Sequence, residues 1–168
     1  IGGGDWSKDR IIPDLMRSYR KNKLFTVRNP NSIRPWSHIL DITAGYLAVG
    51  SNLLSSKSSF DEFNICSDTK KNMKVSELSN ILMKRFNINT LKVLKNNSCF
   101  KENSYLSLNS SKIHKKLRWK SYFNHYDSIM LTADWYEKFF KNKNAVKITI
   151  EQIQNYLKLF FNKNKNYA

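Results

Sequence analysis

The chain has 168 residues, of which 40% are hydrophobic and 13% aromatic, so it is long and apolar enough for one ordinary domain with its own core. This composition excludes a disordered tail. No stretch reaches the roughly 18 apolar residues of a membrane helix, and the first thirty residues lack the pattern of a signal peptide. We therefore expect a cytoplasmic protein with no membrane partner.

The formal net charge of +16 by itself favours a nucleic-acid or anionic-membrane partner. Lysine outnumbers arginine by about three to one, and the lysines and asparagines are scattered along the chain instead of forming one basic stripe. Such scatter is typical of solvated helix faces. Nucleic acid is therefore kept only as an alternative partner.

Hydrophobic periodicity predicts the elements in chain order. They are a helix over 10–23, a strand over 24–29, an apolar extended stretch over 34–40, a helix over 41–56, a strand over 60–66, a helix over 74–86, strands over 91–95 and 105–109, and helices over 110–119, 125–141 and 149–162. Asp41, Ser76 and Thr149 are predicted N-caps, with Gln152 completing a capping box after Thr149. Strands isolated between more numerous helices indicate a single α/β domain.

Three consecutive glycines in the stretch IGGGDW raise the question of a phosphate-binding loop. The spacing fits neither the dinucleotide fingerprint nor the P-loop, and no strand precedes Ile1 to deliver such a loop. Because Ile1 is not Met, we expect that the preceding sequence has been removed, most simply by truncation.

The segment 26–41 contains the most informative polar residues. Arg28 and Arg34 are six positions apart, each near a strand end and followed by a turn-forming proline. Two guanidinium groups presented from loops at one end of a sheet suit a diphosphate, since each planar group can hold two oxygens at once. The alternatives are that Arg34 stacks on Trp36 and that Arg28 makes a surface ion pair.

Other chemistry-bearing residues suggest no second site. His38 is interpreted as a buried core imidazole, while His114 and His125 are expected on the surface without a role. Cys66 and Cys99 lack zinc or disulfide spacing and are interpreted as buried thiols or as residues without a role, and no metal site is expected. The early aspartates are too dispersed to define an acid and base pair: Asp5, Asp9, Asp14 and Asp41.

A set of longer stretches resembles a known family. These are IGGGDWSKDRIIPDLMRSYRKNK, VRNPNSIRPWSHILD, GYLAVG, YLSLNSSKIHKKLRW, ADWY and EQIQNY. Together they resemble the CDP-glucose 4,6-dehydratases, a branch of the extended short-chain dehydrogenase/reductases. The resemblance covers almost the whole chain but only the second half of the family's length.

The resemblance implies an α/β fold, namely the C-terminal part of a Rossmann-type fold, mainly its substrate-binding subdomain with several helices and short strands. Residues 1–168 would form one substrate-binding portion, while the NAD-binding Rossmann portion and the catalytic groups would belong to an N-terminal half absent from this sequence. We expect the chain to lack both the glycine-rich NAD loop and the YxxxK motif, and therefore to be inactive alone.

The activity that the resemblance implies for the complete enzyme is that of an NAD-dependent lyase in surface-polysaccharide biosynthesis. Such an enzyme oxidises C4 of the glucosyl unit of CDP-glucose, removes water across C5 and C6, and returns the hydride to C6. The implied partners are a CDP-sugar, the N-terminal half and a second copy of the complete enzyme. Another nucleotide-sugar epimerase or reductase of the superfamily is the nearest alternative, and a basic nucleic-acid-binding module the more distant one.

Substrate-binding roles follow from the resemblance for Arg10, Ile11, Pro13, Arg28, Arg34 and Glu102. Arg34 matches the arginine that holds the nucleotide diphosphate, and Arg28 lies where the preceding strand approaches the nucleotide. Arg10 to Pro13 match the helix entry that packs on the sugar nucleotide. Glu102 falls in a late loop that covers the nucleotide.

Overall fold

A computed structural model describes residues 1–55, 61–67, 72–93, 103–141 and 144–164. Its helices are α1 (Ile11–Arg20), α2 (Ile39–Ser55), α3 (Val75–Arg85), α4 (Ser111–Leu117), α5 (His125–Phe140) and α6 (Ala145–Asn164). Its strands are β1 (Phe25–Val27), β2 (Ile33–Arg34), β3 (Met73–Lys74) and β4 (Leu91–Val93). The strands pair as two small sheets, β1 parallel to β4 and β2 antiparallel to β3. This mixture of helices and strands agrees with the predicted α/β class.

The main core lies where α1, β1, α3 and α5 meet. In β1 the side chains of Phe25 and Val27 are buried while Thr26 is exposed, as expected for a strand with one face on a core. The buried apolar residues of this core are Ile12, Leu15, Met16, Phe25, Val27, Trp36, Leu78, Leu82, Phe86, Ile129, Ala133, Trp135, Tyr136 and Ile148. Because β1 is packed on this core, the position of the residues that directly follow it is fixed.

Asparagine terminates two of the core helices. Asn22 follows α1 and Asn87 follows α3, with left-handed φ angles of 47° and 52°. In both cases the next residue donates its N–H to the carbonyl five positions earlier, at 2.9 Å. Asparagine enters this conformation more readily than most residues other than glycine, so part of the asparagine-rich composition serves to end helices.

The helices fall where periodicity predicts them, but the predicted N-caps of α2 and α3 are wrong. The second helix, α2, begins at Ile39, so Asp41 lies inside its first turn and is buried, which excludes an N-cap role. At α3 the side chain of Glu77 accepts the Lys74 N–H at 2.7 Å, and the helix begins before Ser76.

The predicted cap of the last helix is also wrong. The helix α6 begins at Ala145, and the side chain of Asn144 accepts the N–H groups of its first turn at 2.9 and 3.2 Å. Thr149 lies one turn inside and donates its hydroxyl to the Ala145 carbonyl. Gln152 donates to the Leu131 carbonyl of α5 at 2.8 Å, so it joins two helices instead of forming a capping box.

Two predicted strands are not formed as such. In 61–67 no ladder is present, and the backbone is held instead by the Ser67 N–H, which donates to the Ser37 hydroxyl at 2.8 Å. Over 105–109 pairing is limited to one bridge between Tyr105 and Ile33. A strand needs a neighbouring strand to pair with. Within the described residues, 105–109 has one bridge and 61–67 has none.

The predicted burial of the histidines and cysteines is confirmed in part. His38 and Cys66 are buried as predicted, and Cys99 lies outside the described residues. The surface position predicted for His125 is wrong, because its ring is buried and its Nδ1 lies 2.9 Å from the Trp36 carbonyl oxygen. None of the described helices has the length and apolar character that crossing a membrane requires.

Candidate anion-binding cleft

A cleft of about 420 Å³ opens between the N-terminus of α1, the end of β1 and the strand β2. Five of the six residues predicted to bind substrate line it: Arg10, Ile11, Pro13, Arg28 and Arg34. Glu102 lies outside the described residues. The fold thus brings together side chains that the sequence separates by up to 24 positions, while their binding role stays a prediction.

Each arginine is placed at the cleft by a different element. Arg28 directly follows β1, and 54% of its side chain is exposed although the strand before it is buried. Arg34 ends β2, where it pairs with Met73 of β3 and donates from Nη1 to the Ile33 carbonyl at 2.8 Å. Arg10 precedes the first helical residue of α1. Three arginines held by three different elements therefore line one cleft.

The N-terminus of α1 adds favourable polarity to this space. Arg10 has an extended backbone and no side chain caps the helix, whose first internal hydrogen bond runs from the Asp14 N–H to the Arg10 carbonyl at 2.9 Å. Pro13, in the first turn, has no N–H to leave unsatisfied. The unpaired N–H groups at a helix N-terminus attract anions, so the helix end and the arginines favour the same kind of ligand.

Three carboxylates that sequence reasoning did not assign to the site also line the cleft: Asp5, Asp9 and Asp14. Asp14 is paired with Arg17 one turn along α1. Asp9 pairs with Arg28 at 3.4 Å, which confirms the surface ion pair considered for Arg28. Burial raises the pKa of Asp5, but hydrogen bonds from Ser7, together with the charges of Arg10 and the Ile1 amine, leave the pKa below its ordinary value.

The glycine triplet packs on α5 instead of cradling a phosphate. A Cβ on Gly3 would lie 2.0 Å from Cγ of Trp135, and Gly4 has a φ angle of 82°, so both positions require glycine. The loop is also held by the Tyr136 hydroxyl, which donates to the Asp5 carbonyl. The glycines are thus engaged with α5, and their spacing is not that of a dinucleotide-binding loop.

The expectation that the chain lacks a YxxxK spacing is wrong, since Tyr19 and Lys23 have it. The ring of Tyr19 packs on Phe86 and Phe140, with centroids 5.0 and 5.6 Å apart. Lys23 lies beyond the end of α1. Tyr19 is also about 12 Å along the helix from the end that opens on the cleft, so this pair does not form a catalytic site there.

The fold has clear relatives among solved structures, although no protein-family model matches the chain. A dTDP-glucose 4,6-dehydratase from Bacillus anthracis in complex with NAD has a TM-score of 0.67 and 14% identity, over 81% of this chain and 41% of that one. A UDP-glucuronic acid 4-epimerase from Bacillus cereus, with UDP-glucuronic acid and NAD, has a TM-score of 0.63 and 19% identity, over 78% and 40%. The chain has the fold of the C-terminal portion of extended short-chain dehydrogenase/reductases, as the sequence predicts.

The sequence is similar to a particular member of that class. It is 28% identical over 158 residues to the CDP-glucose 4,6-dehydratase of Salmonella typhimurium, covering 94% of this chain and 44% of the relative. The predicted resemblance to a CDP-glucose 4,6-dehydratase is thereby confirmed. The chain spans less than half the length of this relative and of the two solved structures.

Proposed function

We propose that residues 1–168 form the substrate-binding C-terminal portion of an NAD-dependent CDP-glucose 4,6-dehydratase. The observation that carries the proposal is the convergence of Arg10, Arg28, Arg34 and the α1 N-terminus on one cleft. The similarity of this chain, over 94% of its length, to an enzyme of that name supports CDP-glucose as the substrate. The biological setting that we propose is cytoplasmic synthesis of a surface polysaccharide.

In this proposal the cleft holds the diphosphate of the sugar nucleotide. Arg28 and Arg34 bind the phosphate oxygens with their planar guanidinium groups. Arg10 and the α1 N-terminus add positive potential, while Ile11 and Pro13 give the sugar an apolar surface. Glu102 is proposed to lie over the nucleotide.

Redox chemistry is assigned to polypeptide that corresponds to the unmatched part of the relatives. Both of those solved structures are complexes with NAD, and this chain covers about 40% of each. We therefore propose that an N-terminal portion holds NAD and the catalytic groups, and that this chain is inactive without it. A homodimer is the proposed assembly of the complete enzyme.

The surface for this N-terminal portion is proposed to be α2. Large apolar side chains along this helix are exposed: Ile39, Tyr46, Leu47, Leu53 and, at 93%, Leu54. The segment 61–67, predicted as a strand, has no ladder. Two nearby buried polar atoms, Nε2 of His38 and Oγ of Ser67, have no hydrogen-bond partner within the described residues. A sheet packed on α2 would cover the apolar surface and offer 61–67 a neighbouring strand.

Titration of the chain with CDP and UDP by calorimetry tests the proposal. We expect CDP to bind more tightly, and Arg34→Ala to weaken CDP binding by about 10- to 100-fold, because a charge-assisted pair contributes roughly 1.5–3 kcal/mol. Arg20→Ala, at the opposite end of α1, is the matched control and should leave the affinity unchanged. Equal losses in the two variants, or no CDP binding at all, would reject the assignment.

The fold similarity to a UDP-glucuronic acid 4-epimerase favours one second candidate, a UDP-sugar epimerase of the same class. A clear preference for UDP over CDP would support it. The nucleic-acid alternative predicts oligonucleotide binding that falls steeply with salt in the absence of any CDP binding. Part of the basic charge is already neutralised locally, since Lys112 and Lys116 both pair with Asp61.

A further inference from the structure

Two of the residues that line the cleft form an ion pair with each other. Oδ1 of Asp9 lies 3.4 Å from Nη2 of Arg28, and both side chains line the cleft. Within the described residues, Asp9 is the ion-pair partner of Arg28. The guanidinium that the proposed function assigns to phosphate therefore already has an anionic partner from the chain itself.

The pair has the geometry of an exchangeable contact. Its separation exceeds the roughly 2.7–2.9 Å of a well-formed charge-assisted hydrogen bond, and 79% of the Asp9 side chain and 54% of the Arg28 side chain are exposed. Exposed pairs of this type contribute little to stability, so a ligand with stronger hydrogen bonds can replace the carboxylate.

The backbone fixes Asp9 where it faces Arg28. Asp9 has a φ angle of 62°, a left-handed conformation that few residues other than glycine adopt and that aspartate and asparagine tolerate best. It immediately precedes Arg10, whose carbonyl begins the hydrogen bonding of α1. The left-handed turn thus places the carboxylate in the lining of the cleft, between the N-terminus of α1 and the end of β1.

We propose that Asp9 is a resident counter-ion of the cleft, which holds Arg28 when no ligand is present and competes with phosphate groups for it. This inference rests on the proposed function only in taking a phosphate-bearing anion as the ligand. Binding requires the carboxylate to release Arg28, so the measured affinity is lowered by the stability of the pair and by repulsion between Asp9 and the phosphate. Asp9 is accordingly a residue that sets affinity and takes no part in catalysis.

The test compares binding of CDP and of inorganic pyrophosphate by calorimetry. Asp9→Asn removes the charge and keeps a residue that tolerates the left-handed backbone, and Asp9→Gly is a second variant with the same tolerance. We expect either variant to bind both probes about two- to fivefold more tightly. Glu151→Gln is the matched control, since it removes an equal charge from an exposed carboxylate paired with Lys138 between α5 and α6.

Removing Arg28 provides the decisive comparison. The gain from Asp9→Asn should be smaller in an Arg28→Ala background, because only the repulsion between Asp9 and the phosphate is then relieved and no guanidinium is left to release. The proposal is overturned if Asp9→Asn binds no more tightly than the parent chain, if Glu151→Gln gives the same gain, or if the gain is equally large without Arg28. Thermal melting of each variant establishes that it is folded before binding is measured.

The outcomes also separate this inference from the proposed function. If pyrophosphate responds to Asp9→Asn while CDP binds no better than pyrophosphate, the counter-ion role stands and the CDP-sugar assignment fails. If CDP binds through Arg34 but Asp9→Asn changes nothing, the assignment stands and the counter-ion role fails. If neither probe binds any of these proteins, both are overturned.

Discussion

The hydroxyl of Tyr156 in α6 donates a hydrogen bond of 2.9 Å to Oδ1 of Asp41 in the first turn of α2, although 115 positions separate the two residues. Asp41 is fully buried. Its carboxylate also accepts the backbone N–H groups of Tyr122 and Phe123 at 2.8 and 2.9 Å. One side chain therefore joins α2, α6 and the segment that leads into α5.

Replacing this carboxylate should be costly. In Asp41→Asn an amide NH₂ would replace one acceptor oxygen and face a donor, so we expect a loss of about 2–3 kcal/mol in the free energy of unfolding measured with urea. Tyr156→Phe removes one hydroxyl and should cost about 1 kcal/mol. An Asp41→Asn variant no less stable than Tyr156→Phe would contradict the joining role.

The glycine loop offers a paired test of close packing. Gly3→Ala would place a Cβ inside the ring of Trp135, and overpacking of this kind typically costs about 1–3 kcal/mol of stability. Gly50→Ala lies within α2, where a Cβ meets no atom within 4 Å, and should stabilise the helix by about 0.5–1 kcal/mol. Opposite shifts in Tm are the expected result, and equal shifts would contradict the described packing.

His38 should make stability depend on pH. Burial lowers the pKa of its imidazole to about 3, with the charged Ile1 amine adding to the effect, whereas the unfolded chain has the ordinary value of 6.5. Below pH 6.5 the His38 imidazole is protonated in the unfolded state but stays neutral in the folded state. The free energy of unfolding therefore falls as the pH drops from about 6.5 towards about 3. The slope is about 1.4 kcal/mol per pH unit once the unfolded imidazole is charged.

The matched measurement compares the parent chain with His38→Phe, which keeps a ring and removes the titrating group. Urea unfolding between pH 6.5 and 4 should show the parent losing stability relative to the variant as the pH falls. Because the carboxylates are common to both proteins, their contribution cancels in the difference. Parallel curves over this range would show that His38 is not buried as a neutral imidazole.

Asp61 should stay ionised at a lower pH than an ordinary aspartate. Hydrogen bonds from Lys112 and Lys116 lower the pKa of its carboxyl from 3.8 to about 2. Since the folded pKa is the lower one, the stabilising contribution is present above about pH 4 and is lost as the pH falls towards 2. Titration by carbon-detected NMR should find the pKa raised in Lys116→Ala and unchanged in Lys115→Ala, and no difference between the two variants would refute the assignment.

The parts of the fold that depend only on residues close together in the sequence were predictable. The helices follow from apolar spacing of three and four residues, and β1 and β4 from short apolar runs. The cap of α6 was misplaced because Thr149 and Asn144 both have suitable side chains, and only the start of the helix selects between them. The strand predicted over 60–66 failed because strand formation depends on a distant partner that a local pattern does not contain.

The placement of residues at the cleft was predictable in part. Arg28 and Arg34 could be anticipated because each follows or ends a strand near a turn. The position of Asp9 at the cleft could not be anticipated. Asp9 and Arg28 are 19 positions apart, and only the fold brings the start of α1 beside the end of β1. The signal to look for in another sequence is an acidic residue directly before an arginine at a helix N-terminus.

The attachment of the glycine loop to α5 has a consequence for ligand entry. Tyr136, which donates to the Asp5 carbonyl, is itself entirely enclosed by the core, so one wall of the cleft moves only if the protein interior moves with it. In the proposed function, an anion that binds there meets a wall that is already ordered, so little affinity is lost to ordering it. If the cleft binds an anion as proposed, mutations in the interior around Tyr136 should weaken that binding without changing any residue that the anion contacts.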